Sequence, residues 1–307
     1  MKLSVCLITF NHERFIAEAL RSAVEQQTDF EYEIVVSDDC STDATREIIV
    51  EFQRRYPDKI RLAFPEKNLG VNRNLAVTLK ACRGQYLALL EGDDYWTSPT
   101  KLQEQVSFLD ANPECAICFH AVRIIHEDKK TASRISPRFG HKRISTLEDL
   151  LRLGNFIPTC STVFRHRLFD QFPDWFYNLR IADFSLHVFN AQHGKVGYIN
   201  KVMGAYRVHS GGTFSFESAS RNAQEVIRLY DYLNDHLEHK YDRTIKAIQS
   251  YWKAVEYYRN GEYAKAQNCA ATRASAPPFN TQAAMAWLLS HSLPAYRLVK
   301  YLGRPLS

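Results

Sequence analysis

The first ~110 residues alternate between two hydrophobic rhythms. "LSVCLIT" (3–9), "YEIVVSDD" (32–39), "IRLAF" (60–64) and "QYLALLEG" (85–92) are short and mostly apolar, as expected of strands buried on both faces. Between them, "ERFIAEALRSAVEQ", "STDATREIIVEFQRRY", "GVNRNLAVTLKAC" and "SPTKLQEQVSFLDAN" carry helical spacing. In the first of these, Phe15, Ala19, Ser22 and Ala23 fall on one face. The second opens with Ser41, Thr42 and Asp43, a capping signal with Glu47 near the first turn, and the fourth has Pro99 near its start. Strands joined by helices of this length predict a mostly parallel sheet flanked by helices, an α/β fold. From about residue 115 to 212 the pattern shortens, with candidate strands at 115–125, 159–164, 196–200 and 203–208. Beyond 216 it reads as helix, broken at Gly261 and Pro277-Pro278. We therefore expect a catalytic α/β domain over 1–215 and a C-terminal helical region over 216–307.

Sheets of this kind bind ligands outside the carboxyl ends of their strands. Here those ends read Thr9-Phe10-Asn11, Ser37-Asp38-Asp39, "PEKNLG" and Glu91-Gly92-Asp93-Asp94. Crowded carboxylates at a strand end have two readings. They form an acidic turn capping the next helix, or a divalent cation is their missing counter-charge. The first strand is followed by "TFNHERF", which contains no glycine, and no G-x-x-x-x-G-K-[ST] occurs. Glycine-rich phosphate loops are thus excluded, and a metal held by acids is the remaining way to neutralise a pyrophosphate.

Charge and cysteine content sharpen this picture. The 39 basic and 34 acidic residues give a net charge of +5. No acid follows Glu262, whereas Lys265, Arg273, Arg297, Lys300 and Arg304 do, and setting those five aside leaves 34 bases against 34 acids. A neutral body argues against nucleic acid as a partner. The basic tail, with the apolar "AAMAWLL" among its charges, fits contact with an anionic membrane surface, packing on the catalytic domain, or a homodimer. The seven scattered cysteines suit a reducing compartment, and Cys115 and Cys118 read as buried thiols. No signal peptide or bilayer-length apolar run is visible, so the expected location is cytoplasmic, with peripheral attachment to the inner membrane face as an extension of the tail reading.

"SVCLITFNHERFIAEALRSAVEQ", "IVVSDDCSTDAT", "NLGVNRN", "YLALLEGDDYWTSPTKLQEQ" and "YRVHSGG", in this order, resemble family 2 glycosyltransferases of the GT-A fold, including bacterial surface-polysaccharide enzymes. The resemblance covers roughly residues 1–212 and implies inverting transfer of a sugar from a nucleotide-diphosphate donor, most simply UDP-linked, to a glycan or lipid-linked acceptor. Carried over residue by residue, it implies that Thr9, Phe10 and Asn11 flank the nucleotide, that Asp39 reads the uracil or ribose, and that Asn68 and Gly70 close over the nucleoside. Asp93 and Asp94 match the D-x-D-like acids. Asp93 falls to the nucleotide and Asp94 to Mn²⁺ or Mg²⁺, His209 is placed to reach the metal or the diphosphate, and Gly211-Gly212 would permit a lid. Trp96 and Lys101 lie in the flanking segment, and Glu91 is either a supporting acid or the end of the strand.

The general base falls on Asp183 in "RIADFSLHVF", with Asp174 as its rival. The family's Glu-Asp pair is incomplete, because Ala182 stands in the first position. Two other functions compete: a sugar-1-phosphate nucleotidyltransferase, which would carry a basic glycine-rich loop after its first strand, and a non-catalytic sugar-nucleotide-binding protein.

Overall fold

A computed structural model describes residues 1–127, 132–137, 141–180, 182–211, 219–274 and 281–292. It divides into two compact units, one of residues 1–150, 155–178 and 182–209, the other of 151–154, 179–181 and 210–307.

The first unit opens with β1 (Leu3–Thr9), α1 (Ile16–Val24), β2 (Tyr32–Asp38), α2 (Thr45–Arg55), β3 (Ile60–Leu62), α3 (Val71–Ala81) and β4 (Tyr86–Glu91). β1, β2, β3 and β4 pair in parallel in the order β3-β2-β1-β4. Every residue of β1 and β2 is buried, which is why their sequences lack alternation. Helix α1 buries Ile16, Ala19, Leu20, Ala23 and Val24, one stripe at helical spacing. Then follow β5 (Tyr95–Trp96), α4 (Lys101–Ala111), β6 (Cys115–His126), β7 (Arg134–Ser136), β8 (Ile144–Ser145), α5 (Leu147–Leu153), β9 (Val163–Arg165), α6 (Ala182–Ala191) and β10 (Lys195–Val208). Among the described residues these complete one sheet in the order β3-β2-β1-β4-β9-β6-β10-β5, with β7 on β6 and β8 on β10. β9 runs antiparallel to both β4 and β6, whereas β6 and β10 are parallel.

Two sequence expectations change shape. The strand expected at 159–164 is a 3-10 turn, Thr159–Ser161, followed by β9. The pair expected at 196–200 and 203–208 is the single strand β10, whose register against β6 shifts between Ile199 and Val202 and again before Gly204. A bulge there breaks the apolar alternation that marks a strand.

The second unit holds α7 (Ala219–His236), α8 (Asp242–Arg259), α9 (Tyr263–Ala274) and α10 (Thr281–His291). Its core includes Leu289 and four alanines, Ala254, Ala266, Ala270 and Ala286, whose small side chains let helices approach closely. Among the described residues no helix is long and apolar enough to cross a membrane. Gly212, Arg297, Lys300 and Arg304, on which the lid and tail expectations rest, lie outside the described residues.

Candidate active site at the strand ends

Parallel pairing puts the carboxyl ends of β1, β2 and β4 side by side, and the sequence-predicted residues cluster there. On the β2 side, Asp39 is buried, and its two oxygens accept the backbone N–H groups of Leu69 at 2.7 Å and Gly70 at 2.9 Å. Asn68 Nδ2 donates to the Asp39 carbonyl at 2.8 Å. Gly70 sits at φ 78°, a left-handed conformation natural to glycine, as helix α3 begins. Asp39, Asn68 and Gly70 are thus brought together. Asn11, at φ 55°, uses its side-chain carbonyl to accept the Thr42 N–H at 2.8 Å, tying the end of β1 to the loop after β2. Phe10 beside it is 43% exposed, an aromatic ring left open at a strand end. Asp38 serves as a turn acid, with its Oδ2 accepting Arg46 Nε at 2.7 Å.

The acids after β4 diverge. The turn closes with the Asp94 N–H on the Glu91 carbonyl at 3.1 Å, and the Gly92 N–H reaches the Ile8 carbonyl at 2.9 Å. A Cβ on Gly92 would collide with the Thr9 hydroxyl, so glycine is what lets this turn lie against β1. Asp93 turns toward two histidines: its Oδ2 lies 3.1 Å from His209 Nε2 and 3.8 Å from His12 Nε2. Thr9 Oγ1 lies 3.1 Å from His12 Nδ1 and orients that ring, while the His209 ring packs on Phe15. Burial alone would raise the Asp93 carboxyl, but the His209 hydrogen bond and the charges of His12 and His209 outweigh it and hold it below the usual carboxylate range. Burial lowers the His12 imidazole against the opposing pull of Asp93.

Asp94 goes elsewhere. Its Oδ1 accepts the Arg207 backbone N–H at 2.8 Å, and its buried Oδ2 makes no hydrogen bond of good geometry, with the Cys160 thiol beside it. Burial, then the charge of Asp93, pushes its carboxyl well up. The Arg207 guanidinium donates to the Asp93 carbonyl and to Glu127 and Glu18, locking the end of β10 onto the acid turn.

Glu91 takes a third direction. It lines a small cavity with Asp183, Thr159, Val71 and Leu75, with about 20 Å³ open to the centre of a water molecule, room for one water. Burial, then Asp93, Asp94 and Asp183, push its carboxyl well up. Tyr206 faces the same four acids, and burial followed by their charge holds its phenol protonated. Asp183 stands in the first turn of α6, where its Oδ2 accepts Asn155 Nδ2 at 2.7 Å and Thr159 Oγ1 at 3.3 Å. Asp174 is exposed at the start of a 3-10 turn, Asp174–Asn178, whose Phe176 is buried.

His12, Asp93 and His209 form a set whose donor atoms all lie within 4.8 Å of one another. One carboxylate and two imidazoles suit a divalent transition ion better than Mg²⁺. The structure joins the predicted Asp93 and His209 in this set, brings in His12, and leaves Asp94 out of it. His12, Tyr206, Asn155 and Thr159 are the functional candidates that sequence reasoning passed over. His12, standing in the "TFNHERF" loop, and Tyr206, which opens "YRVHSGG", carried a signal, and Asn155 and Thr159 carried none.

Comparison with known proteins agrees with this architecture. A protein of Mycobacterium tuberculosis of uncharacterised function is 42% identical over 211 residues, covering 68% of this chain and 60% of its own length. The chain thus spans less than two thirds of that relative. An uncharacterised glycosyltransferase of Nostoc is 30% identical over 249 residues, covering 77% of this chain and 76% of its own. Among solved structures, Staphylococcus aureus TarS with UDP-GlcNAc superimposes with a TM-score of 0.61 at 19% identity, covering 98% of this chain and 91% of that one. The mannosyltransferase PcManGT of Pyrobaculum calidifontis, with GDP-Man and Mn²⁺, gives 0.63 at 18% identity, covering 98% and 82%. Both likenesses are of fold. Residues 4–172, more than half of the sequence, match the model of glycosyl transferase family 2, and the chain belongs to that family.

Proposed function

We propose that the chain transfers a sugar from a nucleotide-diphosphate donor, UDP-linked, to a hydroxyl of a glycan or lipid-linked acceptor, with inversion at the anomeric carbon, in the building of a polysaccharide. The observation that carries this reading is the convergence, at neighbouring strand ends, of a nucleoside-side loop, a His-Asp-His set and a hydrogen-bonded carboxylate. TarS with UDP-GlcNAc supports the choice of donor class, and PcManGT with Mn²⁺ the choice of metal.

Asp39, Asn68 and Gly70 would hold the nucleoside side, with Phe10 beside the base. Asp93, His209 and His12 would hold Mn²⁺, in preference to Mg²⁺, and that ion would supply counter-charge to the diphosphate. Asp183 takes the proton of the attacking hydroxyl as the new C–O bond forms, and the sugar–diphosphate bond breaks with its electron pair leaving on the diphosphate. Asp94 holds the acid turn through Arg207. The excess of base over acid in the C-terminal region supports peripheral attachment to an anionic surface, where a lipid-linked acceptor would reside.

A panel of UDP- and GDP-sugars with Mn²⁺ tests the proposal. Metal-dependent nucleotide release with inverted product stereochemistry is expected. Binding without turnover would make the chain a nucleotide-sugar-binding protein, and retained configuration would remove the single-base mechanism.

A further inference from the structure

Asp183 is preceded by Ala182, so no acidic neighbour in sequence orients it. The fold supplies other neighbours. Asn155 Nδ2 and Thr159 Oγ1 both donate to Asp183 Oδ2, at 2.7 Å and 3.3 Å, while the Phe184 backbone N–H donates to Oδ1 at 2.8 Å. Neither Asn155 nor Thr159 belongs to α6. They come from the segment between α5 and β9, and that segment is anchored independently. Trp96 Nε1 donates to the Cys160 carbonyl at 2.7 Å, Gln105 Nε2 to the Ser161 carbonyl at 2.9 Å, and the Leu89 N–H to the Thr162 carbonyl at 3.1 Å. The turn that presents Thr159 is thus tied to β4, to α4 and to β5, the strand that follows the acid turn.

We propose that Asn155 and Thr159 are positioning residues for Asp183, fixing its carboxylate at the wall of the cavity it shares with Glu91. This rests on the reading of Asp183 as the general base. An ionised carboxylate oxygen accepts about two hydrogen bonds. Among the described residues Asn155 and Thr159 occupy both places on Oδ2, the Thr159 hydroxyl also contacting Glu91, and one of the two on Oδ1 remains. Oδ1 is therefore the oxygen that takes the acceptor's proton, and the two donors on Oδ2 set the direction in which it points. The fixed orientation matters because a displacement of ~1 Å at a reacting group costs ~10²-fold in rate.

Donor hydrolysis isolates the effect, because water can replace the unknown acceptor. The probe is the nucleotide sugar turned over best in the donor panel, with Mn²⁺. Asn155→Ala combined with Thr159→Val, the latter keeping shape and removing the hydroxyl, is expected to lower kcat ~10²-fold while KM for the donor stays within about twofold. Thr159→Ser, which keeps the hydroxyl, is expected to retain a rate within about threefold of the parent. In an Asp183→Asn background the same pair is expected to cost no more than about twofold further. The proposal is overturned if the pair costs its full factor on top of Asp183→Asn, if the loss falls in KM, or if Thr159→Ser is as slow as Thr159→Val. Should the paired variant melt cooperatively only below assay temperature, Thr159→Val alone decides by the same criteria. A wild-type rate in Asp183→Asn itself would bring down the base reading separately.

Discussion

Two groups of acids face each other across the strand ends, and their surroundings differ. On the side proposed for the nucleoside, Asp38 and Asp39 are both answered from within the chain. Asp38 pairs with Arg46, and both oxygens of Asp39 accept backbone N–H groups. On the side proposed for transfer, Glu91, Asp93, Asp94 and Asp183 crowd one another with like charge, and only Asp93 meets the two histidines, His209 and His12. Asp94 Oδ2 is buried without a well-formed hydrogen bond, and the Glu91 and Asp94 carboxyls are both pushed well up by burial and by their acidic neighbours. One side is electrostatically finished by folding, and the other is left short of positive charge. Hydrogen bonding to the charged form stabilises an isolated acid, but like charges sharing a buried site call for a cation or a proton. On the proposed function, this contrast would separate acids that build the pocket from acids that do chemistry.

Replacement of Asp183 tests the chemical side with the largest expected effect. Asp183→Asn keeps size and removes the basic oxygen, so transfer should fall by ~10²–10⁴-fold while UDP binding stays intact. Steady-state rates beside calorimetric UDP titrations check this. Persistence of the parent rate would move the base to Asp174.

The metal assignment gives the next effect. Asp93→Asn or His209→Ala should weaken Mn²⁺-dependent UDP binding by at least the ~10–100-fold that follows loss of a group merely supporting a ligand. Asp94→Asn should weaken it less, because that side chain is engaged by the Arg207 N–H. If Asp94→Asn proves the more damaging in calorimetry, the ion sits on Asp94, as the family resemblance implied.

Legibility in the sequence follows the same divide. β1, β2 and β4 were readable because strands buried on both faces are near-continuous apolar runs. The strand-end acids were readable because topology alone brings those ends together. β5, β7 and β8 were not, since two or three residues hold no period. Which way each acid of Glu91-Gly92-Asp93-Asp94 points was equally hidden. That depends on Arg207 reaching back to the Asp93 carbonyl from over a hundred residues away, just as the placement of Asp183 depends on Thr159 and Asn155 meeting it across a gap in sequence. Local pattern reports burial and period, whereas side-chain destinations are set by tertiary contacts.

On the finished side, the expected effect is on stability. Asp39→Asn replaces a two-oxygen acceptor with one oxygen and one amide, so the Leu69 or Gly70 N–H loses its partner. A hydrogen bond to a charged group contributes ~1.5–3 kcal/mol, and a loss of about 2 kcal/mol in urea unfolding is expected without Mn²⁺ or nucleotide. Unchanged stability would mean that Asp39 is held ready for ligand rather than for the loop, and the contrast between the two groups would weaken.

The smallest effect lies behind the acid turn, where the imbalance reverses sign. Lys101 is fully buried with no hydrogen-bond partner on Nζ and sits 3.9 Å over the Trp96 ring. Burial, only partly offset by Cys118 and Cys160, pulls its amine down to about 7. In the unfolded chain a lysine titrates near 10.4. Between these values the unfolded state binds the proton and the folded state does not, so stability should rise with pH from about 7 to about 10, by at most ~1.4 kcal/mol per unit. Below pH 7 both states are protonated and this contribution levels off at its least favourable value. Lys101→Met keeps the apolar stem and removes the titrating group, and because the folded amine is neutral above about pH 7, no cation–π contact is given up over the range tested. Its unfolding free energy should therefore show a flatter dependence over pH 7–10 than the parent. Urea melts at pH 7, 8, 9 and 10 check this, and parallel profiles for the two proteins would place a counter-charge beside Lys101 that keeps the amine protonated in the fold.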